Sequence, residues 1–175
     1  MNNLEEILDD VVINGFPEFM DEDIWIEYKS IKKSLLKSGE LTDEGFYIEV
    51  DNLLKDTSAN VIMGGVAHEL AHLVTERNLS KYSSKKDGLH YKRSKRYKTL
   101  DERDTDLRAI LRGYGPHLLE FMKYSKEKGF PYYKKDGLSI NEIKTLLKIK
   151  PHKNLFSPFI LLYRKLRTKN KSFII

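Results

Sequence analysis

Between residues 58 and 77 the chain carries Val61, Ile62, Met63, Val66, Ala67, Leu70, Ala71, Leu73 and Val74, a pattern too apolar on every side for a surface helix. It predicts a helix buried over most of its circumference, around which the rest of the fold has to be built. Yet this helix also holds His68, Glu69 and His72. Three polar side chains in such a setting cost several kcal/mol if they lack partners. An ordinary packing role would leave the histidines as a polar pair, with Glu69 matched to a lysine. The spacing offers a more specific use.

The remaining patterns give the surroundings of that helix. Leu4, Ile7, Leu8 and Val11 recur at helical spacing and are halted by Asn14-Gly15 and Pro17. Residues 24–31 and 45–50 alternate as strands, with Ile24, Ile26 and Tyr28 on one face of the first and Phe46, Ile48 and Val50 on one face of the second. Lys37-Ser38-Gly39-Glu40 and Thr42-Asp43-Glu44-Gly45 read as turn material, which predicts a hairpin or small meander. No strand is expected after residue 50. Helices are expected from about Thr99 to Gly113, from Pro116 to Lys128, from a Ser139/Glu142 capping box to Lys150, and onward from Ser157-Pro158. The expectation is an α+β fold: a small sheet packed on the motif helix, followed by a mostly helical C-terminal half. Residues 1–128 form the main domain, and 129–175 a basic helical extension packed on it.

Composition limits the chemistry. With 175 residues, 40% hydrophobic and 33% charged, the chain is large enough for one domain with a real core. It has no cysteine, which removes disulfides, thiolate zinc sites and thiol nucleophiles, so any metal falls to histidine, carboxylate and water. The longest apolar stretches, Val61 to Ala67 and Phe159 to Tyr163, are far short of the roughly 20 residues that span a bilayer. The acidic start does not read as a secretory signal, and a cytoplasmic location is expected. Charge is divided unevenly: residues 1–60 hold 15 acidic and 5 basic residues, residues 61–175 hold 11 and 26. That asymmetry admits nucleic acid as a partner, although scattered lysine also keeps ordinary surfaces soluble. Residues 78–98 lose periodicity and read as a long basic loop.

His68-Glu69-Leu70-Ala71-His72 is an H-E-x-x-H pattern. Histidines four residues apart project from one helical face about 6 Å apart along the axis. A zinc ion with bonds of about 2 Å bridges such a pair. Glu69, next to the first histidine, can lean toward an open coordination position, take a proton from metal-bound water and pass it to a leaving amine.

Two histidines need a third ligand. Asn78 stands where H-E-x-x-H-x-x-G-x-x-H would place a histidine, and Thr75 replaces its glycine, which excludes that arrangement. Glu76 lies eight residues beyond His68, about 12 Å along the axis, and reads as a surface or outer acid. Glu102 is the next candidate. Asp106 or Asp104, and then His90 or His117, are alternatives, and Thr99 with Glu102 is also a capping box.

With Glu102 and Asp106 four apart in Glu102-Arg103-Asp104-Thr105-Asp106, the sequence resembles the gluzincin zinc metallopeptidases, and its brevity makes it look like a minigluzincin. The resemblance covers residues 45–112. It implies a zincin-like domain with one zinc ion on His68, His72 and Glu102, Glu69 as general base, and Asp106 as acceptor for a ligand histidine N–H. It also implies that the strand from Phe46 to Val50 edges the cleft and pairs with an extended peptide.

The developing oxyanion needs a donor, for which Tyr91, Tyr97, His90, Tyr114 and His117 are candidates. The apolar, basic tail from Phe156 to Ile175 offers core packing, a homodimer contact or a plug for the cleft. The expected function is a zinc-dependent peptidase acting on peptide or protein. The alternative of a different class is a non-catalytic zinc protein whose basic half contacts nucleic acid or a protein partner.

Overall fold

One apolar face organises the first helix, α1 (Leu4–Gly15), where Leu4, Ile7, Leu8, Val11 and Val12 are buried while the acidic residues between them stay in water. The Asn3 side chain accepts from the Glu5 N–H at 3.2 Å and caps its start. A short 3-10 turn, Pro17–Phe19, follows and leads into the sheet.

In this computed structural model the described residues are 2–41, 45–80, 95–130 and 136–148, with 75–80 and 97 described as backbone only. The chain divides into two compact units, Met1–Lys144 and Thr145–Ile175. Of the second, the described part is the end of a helix. The expected helix from Ser157, the apolar tail, His90 and Tyr91 lie outside the described residues, as do the side chains of Glu76 and Tyr97.

The sheet has three strands, β1 (Ile24–Lys29), β2 (Leu36–Leu41) and β3 (Gly45–Asp51), in the order β1-β3-β2. Two expectations are corrected here. Leu36 to Leu41 is a strand, although Lys37 to Glu40 read as a turn. The connection is also no simple meander, because β3 lies between the others, parallel to β1 and antiparallel to β2. To get from β1 to β2 the chain passes over the end of β3, and Asp51 fastens that crossing. Its Oδ2 accepts from the Ile31 N–H at 2.6 Å, its Oδ1 from the Leu53 N–H at 2.9 Å, and its own N–H donates to the Leu35 carbonyl at 2.8 Å. Each bond satisfies a backbone group that the ladder leaves open.

Phe46, Ile48 and Val50 of β3 are buried, and the cross-strand register places Leu36 opposite Val50 and Ser38 opposite Ile48 on the same face. That face receives the motif helix, α2 (Ala59–Ser80). Ile62, Val66, Ala67, Leu70, Ala71 and Leu73 of α2 are fully buried. A large apolar side chain buried in this way contributes about 1.5–3 kcal/mol.

Helix α3 (Lys95–Ala109) starts four residues before the expected position, inside the stretch read as basic loop. Thr99 is therefore an interior residue, its Oγ1 donating to the Lys95 carbonyl at 3.0 Å, and is no cap for the helix that holds Glu102. A wider π turn, Ile110–Tyr114, joins α3 to α4 (Gly115–Glu127). Arg112 ties that turn to α1, donating to the Gly15 carbonyl at 2.6 Å and to both carboxylate oxygens of Glu18. Helix α5 (Ile140–Lys148) starts at the expected capping box, with Ser139 N–H donating to Glu142 Oε2 at 2.8 Å and Glu142 N–H to Ser139 Oγ at 3.2 Å.

Two adjacent glycines set how closely the layers approach α2. A Cβ on Gly64 would run into the His117 carbonyl of α4, and one on Gly65 into the Leu36 side chain of β2. Among the described residues no helix is long and apolar enough to cross a membrane.

Candidate metal centre

His68 and His72 leave the same face of α2, one turn apart, and α3 crosses opposite them with Glu102 facing inward. His68 Nε2 lies 3.1 Å from His72 Nε2, and each of these atoms lies 3.4 Å from Glu102 Oε2. Three donor atoms thus form a nearly equilateral triangle. Zinc bonds of about 2.0–2.1 Å in tetrahedral geometry set ligand-to-ligand edges of about 3.3–3.4 Å, so the triangle has the size of one face of such a site. Two imidazoles and a carboxylate are also the donor set that a protein without cysteine has for this purpose. This buried group can hold a metal ion.

The surrounding bonds aim the donors. His68 Nδ1 donates to Asp106 Oδ1 at 2.9 Å, which turns the Nε2 lone pair toward the triangle. Asp106, fully buried on α3, also accepts from the Leu138 N–H through Oδ2 at 2.7 Å. His72 Nδ1 lies 3.3 Å from Thr105 Oγ1 and 3.7 Å from Asp101 Oδ2, so a proton there again leaves Nε2 as the inward lone pair. With both Nε2 atoms free of protons, three electron-rich atoms converge, those of His68 and Glu102 on buried side chains and that of His72 on a part-exposed one. The cluster calls for positive charge at its centre.

The titration behaviour of the metal-free chain says the same. Burial works to lower the His68 pKa, but the hydrogen bonds to Asp106 and Glu102 outweigh it and push the imidazole up to about 10. Burial would raise the Glu102 carboxyl, and the two histidines override that and hold it well below the usual carboxylate range. Asp101 is raised, first by its own burial and then by Glu102 and Asp104 nearby.

Glu69, next to His68 on α2, meets the sheet, where Ser38 Oγ of β2 donates to its Oε2 at 2.7 Å, and its charge is among those that raise the His68 pKa. β3 has neighbours on both sides, so it cannot add a further strand, and the expectation that Phe46 to Val50 edges the cleft is corrected. The outer strand beside the motif helix is β2.

Of the residues singled out by spacing, His68, His72, Glu102 and Asp106 come together. Asp104 pairs with Arg108 at 2.8 Å on the exposed side of α3. His117 stands outside the donor triangle, its ring 5.5 Å from that of Tyr114. Tyr114 turns its hydroxyl to the carbonyls of Asp10 and Val11 on α1, and its pKa is pushed up to about 12 by burial and then by Asp10. It serves the packing of α1. Sequence reasoning missed Ser38, Thr105 and the Leu138 N–H. Thr105, at the centre of the Glu102-to-Asp106 segment and one turn from Asp101, carried a usable signal, whereas the other two depend on distant elements meeting.

Comparison of the chain with protein-family models, curated proteins and solved structures finds no match.

Proposed function

We propose that this protein is a zinc-dependent metallopeptidase, with His68, His72 and Glu102 as metal ligands and Glu69 as general base. The observation that carries the reading is the triangle of donors with a carboxylate on the residue next to His68, held through one oxygen by Ser38. A divalent ion bound there supplies Lewis acidity, polarising a scissile carbonyl and making water a nucleophile near neutral pH.

The chain's own groups do the rest. Glu69 takes the proton from the attacking water and delivers it to the leaving amine nitrogen. Asp106 holds the His68 tautomer, and Thr105 does the same for His72, with the Asp101 carboxylate 3.7 Å away favouring a proton on Nδ1. β2 offers main-chain groups on the side away from β3, where an extended peptide can pair in the manner of an added strand. A purely structural zinc site has closed ligation by four protein donors, and three are grouped here among the described residues.

Glu69→Gln is expected to keep one zinc per chain, by elemental analysis, and to lose cleavage of a random-sequence peptide library read by mass spectrometry. Retained cleavage would remove the peptidase reading. Glu102→Ala is expected to lose the zinc while the helical spectrum persists.

A further inference from the structure

Ser38 occupies the middle of β2, with ladder partners on both sides of it in sequence, and its side chain lies on the face that meets α2. Lys37 and Gly39, its neighbours, belong to the opposite face. On the helix-facing side, Leu36 packs under Gly65 and Ser38 reaches Glu69 at 2.7 Å, a length expected of a hydroxyl donating to a carboxylate. The terminal torsion of a glutamate is broad and close to twofold. Without a fixed donor, either carboxylate oxygen can turn toward the site. With one, Oε2 is held by the strand and Oε1 is left to accept a proton.

We infer that Ser38 is a positioning residue for Glu69: it presents one fixed oxygen of the base to the reacting water from the same strand that would pair with substrate. This rests on the peptidase reading above. No group other than Glu69 moves a proton in the step. The Ser38 proton stays on its oxygen and only directs the carboxylate. Because a peptide would pair with the main chain of β2 while the Ser38 side chain touches the base, Ser38 acts on the chemical step and leaves ground-state binding alone.

The test uses the full-length, zinc-loaded protein and a quenched fluorescent peptide that the wild type cleaves. Ser38→Ala is expected to lower kcat about tenfold with KM within a factor of two, to keep one zinc per chain and to keep the wild-type melting temperature. Ser38→Thr, which restores a hydroxyl, is expected to recover most of kcat. Glu69→Gln run in parallel is expected to be inactive. Wild-type kcat in Ser38→Ala beside an inactive Glu69→Gln would overturn the role of Ser38 alone. So would a loss that Ser38→Thr does not recover, or a loss confined to KM. Equal cleavage by wild type and Glu69→Gln would overturn the peptidase reading with it.

Discussion

Asp106 Oδ1 lies 2.9 Å from His68 Nδ1 although the two residues are 38 positions apart, and this bond fixes the orientation of α3 relative to the motif helix at the level of single atoms. The other oxygen of the same carboxylate is taken by the Leu138 N–H. Each carboxylate oxygen of Asp106 thus accepts a hydrogen bond.

An amide cannot copy that. Asp106→Asn keeps the size of the side chain but turns one of the two acceptors into a donor, which then faces an N–H. Zinc affinity is expected to fall about 10–100-fold. The mismatch is expected to cost the metal-free protein about 1–3 kcal/mol. Competition titration against a chelator and urea unfolding measure the two effects, and unchanged values for both would deny Asp106 its part in orienting His68.

The pH dependence of the metal-free protein follows from the cluster. His68 is raised from an ordinary 6.5 to about 10, so its stabilising contribution is complete below 6.5 and is lost as pH rises through about 10. Glu102 is lowered from 4.5, so its contribution is present above 4.5 and is lost as pH falls through the depressed value. Metal binding displaces the proton held on His68, and zinc affinity is expected to rise up to about tenfold per pH unit as pH climbs toward about 10. Calorimetry in buffers of different ionisation enthalpy counts the released protons. Zero proton release would contradict this account.

Gly64→Ala places a methyl group against the His117 carbonyl, which is backbone and cannot swing aside. The variant is expected to lose about 1–3 kcal/mol by forcing α4 away from α2. Thermal or urea denaturation measures it, and a value within about 0.5 kcal/mol of wild type would mean that the two helices separate at little cost.

Arg103 and Glu142 form a two-pronged pair, at 2.7 and 3.2 Å, between α3 and the start of α5. Arg103 first, and then the Ser139 N–H, hold the Glu142 carboxyl down at about 2. Both side chains are over a third exposed, so solvent screening limits the pair to less than about 1 kcal/mol. Its contribution is present above 4.5 and lost as pH falls through about 2. Glu142→Gln is expected to shift the urea midpoint slightly at pH 7 and by much less at pH 2.

The donor triangle was legible in the sequence because it is written mostly within single helices. His68 and His72 share a face by their spacing, and Glu102 with Asp106 repeats that relation on α3. β2 was hidden for the opposite reason. Leu36-Lys37-Ser38-Gly39-Glu40-Leu41 lacks β-branched and aromatic residues and contains a glycine, so its strand conformation is imposed by pairing with β3. The parallel pairing of β1 with β3 was hidden too, because it depends on Asp51 gathering a crossing loop that shows no local pattern. The early start of α3 escaped notice because Lys95 and Arg96 look the same in a helix as in a basic loop.

The peptide N–H that Leu138 gives to Asp106 also has a meaning in time. A ribosome makes His68 long before residue 138, so the nascent chain has both imidazoles in hand while the group that steadies their carboxylate is still untranslated. A metal ion bound by these residues would therefore find its cradle complete only after residue 138 has been made.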